Sequence, residues 1–274
     1  MSFGPRPRVV DAEGVPMSAL VAEVAQPRAV IVALPGEGAT AAYFDCPSYP
    51  SLSLLRLGAT VGFTVIALDR PGYGSSAPYP HAHACPEQRV RLGYAAVDRI
   101  LGERPQGAGI FLMAHSHGCE LALRMAAHHR GANLIGMELA GGGMHYQPDL
   151  AIEKIGPTAH LYPPEAQPEI SHAAYEQEIA SDWSRREFPA LAAQVRIPVQ
   201  FSVAEFENVW QCDPLALAKI TAAFSASPHI TTNYQPGAGH NLSLSYTAAA
   251  YHLKVLSFVE QCVVAREIPA PLLT

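Results

Sequence analysis

GIFLMAHSHGCELALRMAAHHR, residues 109–130, passes from an apolar run of strand length to a helix-forming stretch within a few residues. Such a chain must turn sharply, and the side chain at the apex of the turn is Ser116. Serine is a weak nucleophile at neutral pH. Its use in catalysis requires a hydroxyl lifted clear of the sheet, beside a base and beside N–H donors. A strand-to-helix turn provides that, with small residues two before and two after the serine because strand and helix backbones nearly touch. Here those positions are Ala114 and Gly118, a G-x-S-x-G pattern with one alanine substituted. A serine that merely caps the helix is the plainer alternative, and the buried strand just before it favours the nucleophile. The turn also sets the backbone N–H of His117 at the helix start, where it can serve as an oxyanion donor.

Working outward, strand and helix signals alternate. AVIVAL (29–34) ends at Pro35 and Gly36, a helical stretch covers 51–62, and FTVIAL (63–68) runs into DRPGYGSS. Helices are predicted over 86–101 and 119–130 and a strand over 134–139 that leads into Gly141, Gly142 and Gly143. PVQFSV (198–203), a helix at 214–224, a short strand HITTNY (229–234) and a closing helix at 242–264 complete the pattern. This order predicts an α/β fold, a mostly parallel central sheet with helices on both faces, and it places chemistry at the carboxyl ends of the strands. Between 145 and 194 the pattern changes to a proline-containing stretch with an amphipathic segment at 173–186. The expectation is a core of residues 1–144 and 195–274 with a cap inserted at 145–194, whose Tyr146, Tyr162, Tyr175 and Trp183 could line a cleft.

GAGHNLSL (237–244) puts His240 in a small-residue loop between the last strand and the last helix, where an imidazole can reach Ser116 as general base. His115 and His117 adjoin the serine, but neighbouring side chains on a tight turn point apart. The former reads as a packing or hydrogen-bonding residue, the latter mainly as a backbone donor. A base of this kind needs a carboxylate to fix its tautomer, and PVQFSVAEFENVW (198–210) offers Glu205 and Glu207, with Asp213 beyond. Asp213 stands directly before Pro214 and also reads as a helix N-cap.

Composition narrows the function classes. The 274 residues carry a formal charge of −6 with scattered Lys and Arg, which gives no footprint for nucleic acid. The N-terminal stretch lacks a clean apolar signal core, and no run reaches the ~18 apolar residues of a membrane span. A soluble cytoplasmic protein acting on a small-molecule acyl substrate is expected, its oligomeric state open. The five cysteines are widely spaced without a CxxC pair and are expected to be mostly reduced and buried. Among the 12 histidines, the pairs His81/His83 and His128/His129 lack metal-ligand spacing, so no metal and no cofactor is expected.

On these motifs the sequence resembles the α/β-hydrolase superfamily over nearly its whole length. DRPGYGSS (69–76) is similar to the family's loop after the fourth strand, and LPGEG (34–38) to its oxyanion loop after the third, with Pro35 where many members have histidine. The resemblance implies that the second oxyanion donor is the backbone N–H of Glu37. It also implies an acid three positions after a small residue, which Ala204 and Glu207 satisfy. The implied activity is hydrolysis of an ester or thioester through an acyl-enzyme on Ser116. Acyl transfer or lyase chemistry on the same triad is the alternative, and a catalytically silent binding protein stands further off.

Overall fold

A computed structural model describes residues 4–128, 133–147, 160–163, 173 and 175–268. Eight strands, β1 (Arg6–Ala12), β2 (Val15–Ala22), β3 (Val30–Leu34), β4 (Thr64–Leu68), β5 (Ile110–His115), β6 (Leu134–Ala140), β7 (Val199–Phe206) and β8 (Ile230–Gly239), form one sheet in the order β1-β2-β4-β3-β5-β6-β7-β8. From β4 across to β8 every pairing is parallel. The inner strands VIVAL, TVIAL, IFLMAH and LIGMELA are buried at every position, as a sheet covered on both faces requires.

The helices are α1 (Leu54–Thr60), α2 (Pro86–Leu101), α3 (Gly118–Ala127), α4 (Glu176–Glu178), α5 (Ser184–Arg186), α6 (Phe188–Ala192), α7 (Pro214–Ala223) and α8 (Ala248–Glu267), with a π turn, Ile179–Trp183, joining α4 to α5. Side chains alternate across β3, so Val30, Val32 and Leu34 face α2 and α3 while Ile31 and Ala33 face α1 and α8. Among the described residues no helix is long and apolar enough to cross a membrane. All five cysteines are unbridged, three of them buried.

The closing helix begins at Ala248 and not at 242, where the chain first makes a separate turn, Leu242–Leu244, and two further elements depart from the sequence reading. The hairpin β1–β2 gives no clear sequence signal, because β1 is a largely exposed edge strand and prolines interrupt both strands. Its turn has Glu13 at φ 56° and Gly14 at φ 86°, the positive pair of a type I′ turn, without the Asn-Gly or Asp-Gly that usually announces one. Pro16 is tolerated because β2 pairs with β4 only from Ala19 to Ala22. The second of these is β8, which continues past Tyr234 to Gly239 through Pro236; as the sheet's other edge it can lose one donor.

The order around β3 sets the position of any site. The chain leaves β3 toward β4 on one side and leaves β5 toward β6 on the other, so the loops after β3 and β5 part and open a crevice at their carboxyl ends. Ser116 and Gly36 stand at that crevice.

One buried group on β6 predicts a pH dependence. Glu138 is fully buried, and the Tyr251 hydroxyl donates to its Oε1 at 3.1 Å. Burial pushes its carboxyl up to about 8, with hydrogen bonds from neighbours such as Ser202 and Tyr251 only partly opposing the rise. The folded state therefore holds a proton that the unfolded chain releases at about 4.3. Stability from this group is complete below that pH and is lost as pH rises through about 8. Chemical denaturation of wild type and Glu138→Gln between pH 5 and 9 should show the difference shifting steadily toward the glutamine variant. Parallel curves would mean that Glu138 does not titrate in this window.

Candidate active site

Ser116 occupies the left-handed region at φ 51°, one of two non-glycine residues with positive φ among the described residues. That conformation is strained for an L-residue, and strain of this kind clusters at functional sites. Its N–H donates to the Ala140 carbonyl at 2.8 Å, pinning the turn to the end of β6. A Cβ at Gly118 would stand 2.4 Å from the Leu34 carbonyl oxygen and 2.5 Å from that of Pro35, so the small residue expected there is required by the end of β3.

Three of the expected residues come together. His240 Nε2 lies 3.1 Å from Ser116 Oγ, and its Nδ1 lies 2.9 and 3.1 Å from the two carboxylate oxygens of Glu207. Glu207 also accepts from the backbone N–H groups of Val209 at 2.9 Å and Trp210 at 3.3 Å. Burial works to raise its pKa, but the His240 imidazole and these donors outweigh it and hold the carboxyl below its ordinary range. The other two carboxylates are engaged elsewhere. Glu205 is still within β7 and accepts from Gly237 N–H at 2.8 Å, while Asp213 caps α7, accepting from Leu215 and Ala216 N–H at 2.9 and 3.1 Å.

Of the histidines beside the serine, His115 packs and hydrogen-bonds as the sequence suggested, while His117 does more. His115 Nε2 donates to the His240 carbonyl at 2.8 Å, and its ring stacks on Tyr43 at 4.6 Å. Burial and then the His240 imidazole keep it well below the usual histidine range, so it stays a neutral strut for the histidine loop. Gly141, at φ 56°, admits both rings, since a Cβ there would stand 2.9 Å from His115 Nε2 and 3.1 Å from His240 Cε1. His117 was read mainly as a backbone donor, but its ring is anchored too: Nδ1 lies 2.7 Å from Glu176 Oε2, and Nε2 lies 3.4 Å from the Tyr146 hydroxyl.

Described pieces of the 145–194 segment meet several loops of the site. Gln147 N–H donates to the Val209 carbonyl and Gln211 N–H to that of His145, both at 2.9 Å, binding the start of the segment to the loop that carries Glu207. Tyr146 stacks on Trp210 at 4.1 Å. Tyr162 accepts from Asn241 N–H at 3.2 Å beside His240. Tyr175 and Trp183 sit in the core shared with α2 and α3, Trp183 against Phe188, so neither stands free to line an open cleft. The remainder of the expected cap, residues 148–159, 164–172 and 174, lies outside the described residues, as does His129.

Sequence reasoning missed a buried polar cluster at the crevice. Arg70 Nη2 lies 2.5 Å from Glu176 Oε1 and donates to the Gly36 carbonyl at 2.7 Å; the Tyr73 hydroxyl donates to Glu176 and accepts from Gly38 N–H at 3.1 Å. Against its burial, Arg70 and His117 pull Glu176 down to about 2, so it is a carboxylate at any working pH. Arg70 and Tyr73 lie within DRPGYGSS and were visible as motif residues. Glu176 is one of several acids in an amphipathic stretch, and only its burial singles it out. No group of three or more His, Cys, Asp or Glu converges to hold a metal among the described residues.

Comparisons with known proteins give a family and a shared fold. The alpha/beta hydrolase family matches residues 31–251. No curated protein matches the sequence. Among solved structures, a putative lipase, Lip1, from Acinetobacter baumannii superposes with a TM-score of 0.69 at 13% identity, over 95% of this chain and 92% of its own. A predicted CIB-like hydrolase from Thermoplasma acidophilum gives 0.62 at 14% identity, over 97% and 100%. The thioesterase domain from the curacin biosynthetic pathway gives 0.62 at 16%, over 92% and 99%. At these identities the superpositions establish the shared fold.

Asp213→Ala separates capping from chemistry. Loss of the cap should lower stability by about 1 kcal/mol. The kcat of the folded fraction should stay within about twofold of wild type, because Asp213 makes no bond to His240. A collapse of kcat at unchanged Tm would transfer the acid's role to Asp213.

Proposed function

The chain belongs to the alpha/beta hydrolase family and is a hydrolase, and from that premise we propose that it cleaves an ester or thioester through an acyl-enzyme on Ser116. The observation that carries this reading is the continuous line Glu207–His240–Ser116, with each contact at 3.1 Å or less and the serine held at positive φ on the strand-to-helix turn. In the first step Ser116 Oγ attacks the acyl carbon while His240 Nε2 takes its proton. Glu207, on Nδ1, stabilises the resulting imidazolium. The negative charge passing to the carbonyl oxygen is received by the backbone N–H groups of Glu37 and His117, which flank the crevice between the ends of β3 and β5. Collapse returns the proton from His240 to the departing alcohol or thiol. Water then attacks the acyl-enzyme with His240 again as base, and the acid product leaves with Ser116 restored. No cofactor enters this sequence of steps.

The 145–194 segment acts in this reading as the cap that shapes the acyl site, since its described parts touch the acid loop, the histidine loop and the elbow.

Ester turnover by purified variants tests the proposal. Ser116→Ala should lose at least about a thousandfold in kcat with folding intact. Glu207→Gln should lose at least about a hundredfold, because the amide keeps the shape but cannot stabilise the imidazolium. Glu205→Gln should stay within about twofold. Near-wild-type turnover by Ser116→Ala would remove the central claim.

A further inference from the structure

The cluster beneath the crevice joins groups that the triad does not use. Glu176 comes from the 145–194 segment, Arg70 and Tyr73 from the loop after β4, and His117 from the elbow. All four are at most 4% exposed. Burying a guanidinium and a carboxylate is costly and by itself weak support for stability. Their position therefore invites a functional account.

The contacts supply one. Arg70 Nη2 donates to the carbonyl of Gly36 at 2.7 Å. That carbonyl and the N–H of Glu37 belong to one planar peptide, so a group that fixes the first fixes the direction of the second. A cation on the oxygen end also draws charge from the peptide and makes its N–H a stronger donor. The Tyr73 hydroxyl holds the next N–H along the chain, that of Gly38, at 3.1 Å. Across the crevice Glu176 Oε2 accepts from His117 Nδ1 at 2.7 Å, and His117 precedes the first residue of α3. Glu37 stands farther from that ring, with its carboxylate 3.8 Å from Nδ1. A single carboxylate thus braces both peptides whose N–H groups would receive the oxyanion.

We propose that Glu176, acting through Arg70, Tyr73 and His117, is the positioning residue of the oxyanion hole and makes its geometry depend on the seating of the helical stretch 176–192 that carries it. This rests on the reading of Ser116 as nucleophile. Glu176 touches no reacting atom. Its effect falls on transition-state charge and not on ground-state binding, so it belongs in kcat and not in KM.

The test uses three variants of the full chain. Glu176→Gln leaves Arg70 buried without its counter-charge and can fail to fold. The double variant Arg70→Met with Glu176→Gln removes both charges together, and Tyr73→Phe keeps the ion pair while deleting one hydroxyl. Each is compared with wild type at matched folded fraction for kcat, for KM, and for the rate of reaction with an alkyl fluorophosphonate. In that reaction Ser116 Oγ bonds to phosphorus, fluoride leaves, the serine proton passes to His240, and the phosphoryl oxygen takes the oxyanion's place. The double variant should lose at least about tenfold in kcat and in phosphonylation rate with KM within about twofold, a fraction of what deleting a donor costs. Tyr73→Phe should lose in the same two quantities by a smaller factor, and it decides the matter alone if the charge variants do not fold. Folded variants that turn over and phosphonylate at wild-type rates, or that lose only in KM, overturn the inference while leaving the nucleophile in place. Wild type that fails to phosphonylate at Ser116 overturns the nucleophile reading and this inference with it.

Discussion

The close approach of the Ser116 turn to the end of β3 governs the geometry of the site. Gly118 lies where a Cβ would strike the carbonyl oxygens of Leu34 and Pro35, and Gly36 lies where one would stand 3.0 Å from Ser116 Cβ. Two loops pressed together without intervening side chains bring Glu37 and His117 side by side, the carboxylate of one 3.8 Å from the ring Nδ1 of the other, at the switch point of the sheet. They also force Ser116 into the left-handed region. The strain is opposed by the bond from Ser116 N–H to Ala140 and by the fully buried strands on either side.

Around that contact each functional group is held by a second partner. His240 is held through its carbonyl by His115 and through Nδ1 by Glu207, and Glu207 in turn by the Val209 and Trp210 N–H groups. Trp210 is fixed by stacking with Tyr146. The described parts of the 145–194 segment are therefore part of the support of the proposed triad, and its helical end shares the core of α2 and α3. Glu187 extends this tie, its carboxylate accepting from Arg124 of α3 at 2.7 Å.

How much of this was legible in the sequence follows from where the signals are local. The inner strands were readable because both of their faces are buried and their residues are almost all apolar, and α2 was readable because Pro86 and Glu87 mark its start. Ser116, His240 and Glu207 were readable as candidates because small residues or strand ends mark their loops, and the structure brings the three within hydrogen-bond reach. The hairpin β1–β2 was not, since its turn uses Glu13 and its outer strand faces water. The Glu176 cluster was not, because its partners lie 59 to 106 residues away along the chain and no spacing rule joins them. Glu138 was hidden in the same way, an acid inside an apolar strand whose burial only the packed sheet reveals.

The central claim is that the reaction passes through an ester on Ser116. Mixing the enzyme with an activated ester, quenching within the first turnovers and mapping the digested protein by mass tests it most directly. The account predicts an acyl mass increment on the peptide containing Ser116, formed in a burst and then discharged by water. Turnover with no acylated intermediate at any quench time, even with deacylation slowed, or an increment carried by another residue, would contradict it.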